Sequence, residues 1–169
     1  MSGAAPEFSR LVPLVRIGAA PFEQEISATE EECATLAHRF GLLSLERLAA
    51  RVVLERKPGD TILLSAEWEA AFTQECVVSL DPVPGSARER FELRYGPADA
   101  EGDDDAEAPA FELLESDAID IGEAVAQEFS LSLPPFPHLP EAVLEIEEDP
   151  AGEGPFAVLE RLKNPLDSR

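Results

Sequence analysis

Two cysteines and two histidines are the side chains of this sequence best suited to metal binding or nucleophilic catalysis. Cys33 and His38 are five residues apart in a predicted helix, so they lie on only loosely related faces. The two cysteines do not form a C-x-x-C pair. A structural zinc ion needs four ligands, and the chain has only two cysteines and two histidines in all. We therefore predict no metal site. Cys76 shares the strand parity of Phe72 and is expected to be a small buried apolar residue, the alternative being a remnant of a metal site.

No catalytic motif accompanies these residues. The chain has no phosphate-binding glycine loop, no G-x-S-x-G elbow and no H-E-x-x-H pair. Glu67 and Glu69 lie on the polar side of a predicted strand, and no apolar pocket can be assigned to either carboxyl group. We expect a protein that is not an enzyme, with no catalytic residue and no cofactor.

Three arginines are candidates for contact with RNA. Arg88, Arg90 and Arg94 are spaced by two and four in a predicted strand, so they share one face and are able to meet phosphates. The alternative is that they pair with Glu67 or Glu69 across the sheet. The sequence favours this second interpretation.

Acidic residues are concentrated in the second half of the chain. Residues 95–160 contain 19 Asp and Glu and no Lys or Arg, in a chain of net charge −22. Such a field repels phosphate and attracts cationic surfaces. The run Asp103, Asp104 and Asp105 lacks the ligand spacing of a calcium loop. This region is therefore either a solvated spacer or a polyanionic surface that holds a basic partner.

Apolar side chains occur within and just after this acidic region. Phe136 stands between prolines, and Phe156, Leu159 and Leu162 form a stripe at helical spacing. These side chains would give a cationic, partly apolar partner a second means of attachment. The alternative for the stripe is packing against the protein's own sheet.

The predicted elements begin with strands and one helix. Residues 8–17 predict an edge strand, because Pro13 cannot donate to a ladder. Residues 22–28 predict a second strand. The sequence Thr29-Glu30-Glu31-Glu32 is a capping box and predicts a helix over 30–40. A further strand is expected over 48–56.

The strongest period in the chain follows. Alternation over residues 62–73 predicts a long half-buried strand, and we expect a second strand over 75–80, a turn over 82–85 and another strand over 86–95. Consecutive strands with short turns predict an antiparallel meander. Whether its sheet closes into a barrel is left open.

The remaining segments complete an α+β fold with two main helices. Residues 96–110 predict an acidic, mobile loop, and a helix is expected over 119–132, capped by Asp117 or Asp120. We predict one domain over 1–133 and an extended, proline-rich acidic tail over 134–169, with a short helix beginning at Pro155. No signal peptide and no long apolar run is visible, so a cytoplasmic location without a membrane contact is expected.

Three stretches together resemble the YceD family of large ribosomal RNA subunit accumulation proteins. Residues 73–80 (TQECVVSL) are similar to a Q-x-C-x-x-x-L element, and residues 119–134 to an I-D-L-G-E helix with its proline stop. Residues 155–163 (PFAVLERLK) resemble the family's N-P-F-A-V-L-x-x-L-K. The resemblance implies a role in the accumulation of large-subunit ribosomal RNA. The acidic residues 95–160 add the hypothesis that the partner is a basic large-subunit ribosomal protein or a pre-ribosomal particle, with RNA contacted indirectly.

The departures from the family pattern concern a set of residues that looks like a metal site. Ser79 stands where many members have a second cysteine, and no cysteine follows Pro134. His138 lies one residue before the family's histidine position, and Gly154 replaces the usual Asn. Metal binding is therefore not carried over to this chain.

Overall fold

The computed structural model describes residues 6–100 and 108–142. These ranges contain seven strands and two α-helices. In chain order they are β1 (Leu11–Pro13), β2 (Phe22–Ser27), α1 (Glu30–Phe40), β3 (Ser44–Lys57), β4 (Thr61–Glu75), β5 (Pro82–Gly96), β6 (Ala110–Leu113), β7 (Ala118–Asp120) and α2 (Ile121–Ser132). Short 3₁₀ turns occur at Leu14–Arg16 and Ala98–Ala100.

The strands form one large sheet and one small sheet. The large sheet has the order β2-β3-β4-β5-β6, with β2 to β5 antiparallel and β6 parallel to β5. Strands β1 and β7 pair separately and antiparallel. The predicted α+β class and the meander are thus confirmed. The large sheet is open, since β2 and β6 lie at its two edges and are not neighbours.

The core lies on one face of the large sheet, beneath both helices. Alternate residues of β4, from Ile62 to Phe72, are buried, as the period of two predicts. Phe129 of α2 meets Trp68 and Phe72 edge to face, with ring centroids 5.7 and 5.5 Å apart, and Phe40 of α1 at 5.8 Å. This aromatic cluster joins both helices to the sheet and leaves the sheet's other face uncovered by them.

Helix α1 begins as the sequence predicts. The Thr29 hydroxyl accepts from the Glu32 N–H, and the Glu32 carboxylate accepts from the Thr29 N–H at 2.8 Å. Gly41, at φ 65°, ends the helix in the left-handed region. Arg10 donates two hydrogen bonds to Glu32, and this contact lowers the pKa of Glu32 to about 2.

Helix α2 begins at a junction with the N-terminal segment. Asp120 Oδ1 accepts from the backbone N–H groups of Gly122, Glu123 and Arg10, at 3.1, 3.2 and 2.7 Å. Its other oxygen accepts from Ser9 Oγ at 2.6 Å. Of the two predicted caps, the structure therefore uses Asp120. The helix starts at Ile121 rather than at 119, because residues 118–120 form β7.

The N-terminal strand differs from its prediction. Only Leu11–Pro13 of the expected 8–17 forms a strand, and a 3₁₀ turn follows Pro13 directly. The fixed φ of proline, −60° here, suits the start of such a turn. As a result Val15 is exposed, and Val12 and Ile17 are buried.

The turn between β4 and β5 was also predicted wrongly. No separate strand covers 75–80: β4 ends at Glu75, and residues 82–85, expected to be a turn, are the start of β5. In the described residues, β6 pairs only with residues 93–96 of β5, so Pro82 and Pro84 lie along a free edge of that strand. Proline is tolerated there because no neighbouring strand needs its N–H. Gly85 fits because the Phe72 ring lies over it; a Cβ there would be 2.8 Å from Phe72 Cε2.

The predicted acidic loop over 96–110 and the predicted tail over 134–169 lie partly outside the described residues. The 3₁₀ turn at Ala98–Ala100 and the start of β6 at Ala110 lie within the predicted loop 96–110, and 101–107 are outside the described residues. The predicted helix from Pro155 and most of the tail are also outside them. Within the described ranges, neither helix is long and apolar enough to cross a membrane.

Gly122 provides a test of the junction at α2. A Cβ at this position would lie 2.1 Å from the carbonyl oxygen of Phe8, so Gly122→Ala must displace the N-terminal segment or the helix. We expect the free energy of unfolding to fall by about 2–3 kcal/mol, measured by urea denaturation.

Gly18→Ala is the matched control for this variant. A Cβ at Gly18 has no neighbour within 4 Å. Its free energy of unfolding should stay within about 1 kcal/mol of the unsubstituted protein. Equal stability of the two variants would contradict the close packing of Phe8 on α2.

Candidate functional site

The open face of the large sheet carries the arginines singled out from the sequence. Glu67 on β4 lies opposite Arg90 on β5, so both side chains point to this face. Glu67 accepts from Arg88 Nε at 2.7 Å and from Arg90 at 3.1 Å. The predicted cross-strand pairing is thus confirmed for Glu67, and the hydrogen bond from Arg88 lowers the pKa of Glu67.

Arg94 has a different environment from the other two arginines. Its guanidinium lies 5.5 Å from the centre of the Phe111 ring on β6, and the side chain is half-buried. Arg88 and Arg90 are exposed. The three residues therefore share a strand face without forming a uniform basic patch.

Two further arginines on β3 extend the charged face. Arg47 pairs with Glu69, and Arg51 donates to Glu23 on β2 at 2.7 Å. Sequence reasoning missed them because no partner strand could be assigned to β3. The spacing of four between Arg47 and Arg51 places both on one face of a strand. In an antiparallel register that face meets Glu67 and Glu69, and this was the available signal in the sequence.

A groove of about 530 Å³ runs across this face. Small residues of β3, including Ala49, lie along it, and charged side chains from β2 to β5 surround it. The charged lining residues are Glu25, Arg47, Arg51, Glu67, Glu69 and Arg88. Because these include three acids and three bases, the groove is charge-balanced, unlike a typical phosphate-binding groove.

Cys76 lies at the turn between β4 and β5 and is fully buried, as predicted. Hydrogen bonds from the Ser79 side chain, and from the backbone N–H groups of Ser79 and Leu139, lower its pKa to about 6. The backbone N of Ser79 is 3.4 Å from the sulfur. These donors outweigh the desolvation that would raise the thiol pKa.

The loop after α2 packs against the same turn. The Val77 N–H donates to the carbonyl of Pro137 at 2.9 Å, and Gln74 Nε2 to that of Pro134 at 3.0 Å. His138 Nδ1 lies 3.1 Å from the carbonyl oxygen of Phe136. The fold therefore brings the 76–79 turn and the His138 loop together, although the described residues contain no group of three or more side chains able to hold a metal.

Of the residues predicted to bind a partner, the structure describes one. Phe136 is exposed in the loop after α2. The others lie outside the described residues: Asp103, Asp104, Asp105, Phe156, Leu159 and Leu162. Sequence reasoning missed the exposed apolar residues Val77 and Leu80, because 75–80 was taken for a strand.

Fold and surface together define an acidic α+β protein with an open, charge-balanced sheet face and a hydrogen-bonded turn at one end of that sheet. The family model for the large ribosomal RNA subunit accumulation protein YceD matches residues 64–163, which is more than half of the chain. The chain belongs to the YceD family. No curated protein and no solved structure matches it.

The match spans all three stretches on which the resemblance was based, so that resemblance is confirmed. The family description concerns accumulation of large-subunit ribosomal RNA, which relates the protein to ribosomal particles. The physical role of one stretch is now clear: Asp120 and Gly122 of the I-D-x-G sequence cap α2 and admit the backbone of Phe8.

The thiol of Cys76 supplies a prediction of this subsection. The folded protein should show thiolate ultraviolet absorbance that titrates near pH 6, since hydrogen bonds lower the pKa of Cys76 to about 6. Cys76→Ser should remove this transition. Cys33→Ser should retain it, because burial raises the pKa of Cys33. A transition that survives Cys76→Ser would contradict the assignment.

Proposed function

We propose that this protein supports the accumulation of large-subunit ribosomal RNA as a binding factor and not as an enzyme. Its partner would be a basic large-subunit ribosomal protein or a pre-ribosomal particle, and its site of action the cytoplasm. The observation that carries the proposal is the separation of charge: residues 95–160 contain 19 acids and no Lys or Arg.

The described cationic residues support a protein partner over direct RNA contact. Of the ten Lys and Arg in the described ranges, seven form ion pairs with glutamates. The other three are Arg16 and Arg94, which lie over aromatic rings, and Arg56, which donates to backbone carbonyls. Contact with phosphates would require these partners to be given up. Asp and Glu outnumber Lys and Arg, so the protein can meet a cationic surface without giving up its own ion pairs.

Residues 95–160, which we call the acidic segment, therefore act as the attracting element. Exposed charges of one sign raise the rate of encounter with a basic partner and make binding depend on salt. Phe136 and the stripe Phe156, Leu159 and Leu162 add apolar contacts that salt does not screen. Charge in this scheme selects the class of partner, and apolar contact retains it.

We expect the purified protein to bind purified basic large-subunit ribosomal proteins at low salt and to lose affinity steeply as salt rises. Replacing Asp103, Asp104 and Asp105 by Asn should weaken binding and reduce the salt slope, because three attracting charges are removed. Calorimetry over a series of salt concentrations measures both.

The matched control removes three charges outside the acidic segment, in Glu30→Gln, Glu31→Gln and Asp60→Asn. All three residues are exposed. The control should bind nearly as the unsubstituted protein does.

In cells, deletion should lower the yield of large subunits in sucrose-gradient sedimentation, and an unchanged profile would count against the proposal.

The second candidate function is direct RNA binding by the open sheet face. The observation in its favour is that Arg88 and Arg90 lie exposed on one face beside the groove. The double charge reversal Arg88→Glu and Arg90→Glu distinguishes the two functions by the yield of ultraviolet crosslinking to ribosomal RNA. Our proposal expects little change, and a several-fold fall would favour RNA binding. Glu67→Gln, which frees both arginines, should then raise the yield.

A further inference from the structure

Two loops distant in sequence lie side by side at one end of the large sheet. The turn at residues 76–81 joins β4 to β5, and residues 134–139 follow α2. The Val77 N–H donates to Pro137, and the Gln74 side chain donates to Pro134. These two hydrogen bonds hold the loops side by side.

Large apolar side chains are exposed on both loops. The exposed fractions are 54 % for Val77, 67 % for Leu80 and 74 % for Phe136. We call these three residues the apolar tip. Exposed apolar groups concentrated at one place indicate an interaction surface, since water contact gives them no stabilisation.

The backbone beneath the apolar tip is ordered by hydrogen bonds. Leu80 has φ 64°, a left-handed conformation that costs energy for a residue other than glycine. The turn is held by hydrogen bonds from Leu80 N–H to Cys76 O at 3.0 Å and from Cys76 N–H to Asp81 O at 2.8 Å. These bonds fix the backbone of the turn from which the Leu80 side chain extends.

The charge around the apolar tip defines the chemistry of its partner. Residues 74–82 and 131–142 contain three acids, Glu75, Asp81 and Glu141, and no Lys or Arg. All three acids are exposed. Apolar side chains on two loops whose Asp, Glu, Lys and Arg residues are all acids are complementary to a segment that combines an apolar face with positive charge.

We propose that the apolar tip is the docking site for a cationic amphipathic segment of the partner protein. This inference rests on the proposed function, because it names the surface by which a basic partner is held after charge has attracted it. It differs from that function in its prediction: removing the apolar tip abolishes the preference for an apolar-faced cation and leaves attraction of charge intact.

The test compares two fluorescent peptides of equal length and charge. One is a leucine–lysine sequence patterned as an amphipathic helix, and the other is a lysine–serine sequence without an apolar face. The full-length protein should bind the leucine–lysine peptide more tightly, by fluorescence anisotropy. The triple variant Val77→Ser, Leu80→Ser and Phe136→Ser should lose about tenfold or more in affinity for it, a factor that corresponds to about 1.4 kcal/mol. Its weak, salt-dependent binding of the lysine–serine peptide should not change.

The control variant is Leu11→Ser with Val15→Ser, which alters two exposed apolar residues of the N-terminal segment; Leu11 pairs with Asp120 at the start of α2, whereas Phe136 follows its end. It should bind both peptides as the unsubstituted protein does. Circular dichroism and thermal unfolding establish that both variants are folded. Equal affinity of the triple variant and the control for the leucine–lysine peptide overturns the proposal and leaves the proposed function intact. Failure of the unsubstituted protein to bind either peptide overturns both.

Two other occupants give different results. If the chain's own residues 155–163 covered the apolar tip, Phe156→Ser with Leu159→Ser would increase affinity for the leucine–lysine peptide. If a second copy covered it, the unsubstituted protein would sediment as a dimer and the triple variant as a monomer. Either result overturns the assignment to a partner protein.

Discussion

The alternation of β4 is the constraint on which the rest of the molecule depends. Successive side chains of a strand point to opposite faces, so burial of Trp68 beneath the helices turns Glu67 and Glu69 to the open side. A shift of one residue in register would expose the aromatic cluster and bury the glutamates, a change that is costly on both faces. The arginines of β3 and β5 meet these glutamates because the same register fixes them. One periodicity therefore determines both the core and the charge pattern of the open face.

How much of this could be predicted depended on whether the determinant was local. The capping box at Thr29, the alternation of 62–73 and the cap at Asp120 all act within a few residues. The first two were visible in the sequence, which left the cap open between Asp117 and Asp120. Pro82 and Pro84 led to the wrong prediction of a turn over 82–85. Proline stops a central strand but is tolerated on the free edge that β5 has there. The site depended on tertiary placement in the same way. The pairing of Arg88 with Glu67 followed from strand parity, whereas exposure of Val77 and Leu80 required knowledge of where the turn lies.

The open face and the acidic segment differ in how their charges are balanced. On the sheet, Arg47, Arg51, Arg88 and Arg90 are paired with glutamates, which weakens their attraction for an anionic partner. Exposed pairs of this kind contribute modestly to stability. Beyond residue 94 the bases are absent until Arg161. Residues 1–94 carry 15 acids and 10 bases, a net charge of −5, and residues 95–160 carry −19. Most of the protein's long-range field therefore comes from the second part of the chain, which includes β6, β7 and α2.

The pairing of β1 with β7 has a consequence for how the chain reaches its fold during translation. Ser9 and Asp120 form a hydrogen bond across 111 positions of sequence. The N-terminal segment therefore emerges from the ribosome long before its partner strand exists, while the hairpins of β3, β4 and β5 need only neighbouring residues. Contacts of such high sequence separation form late, because a large loop must close before they give any stabilisation. The pairing of β1 with β7, and the packing of Phe8 against the start of α2, are therefore expected to be completed late in folding.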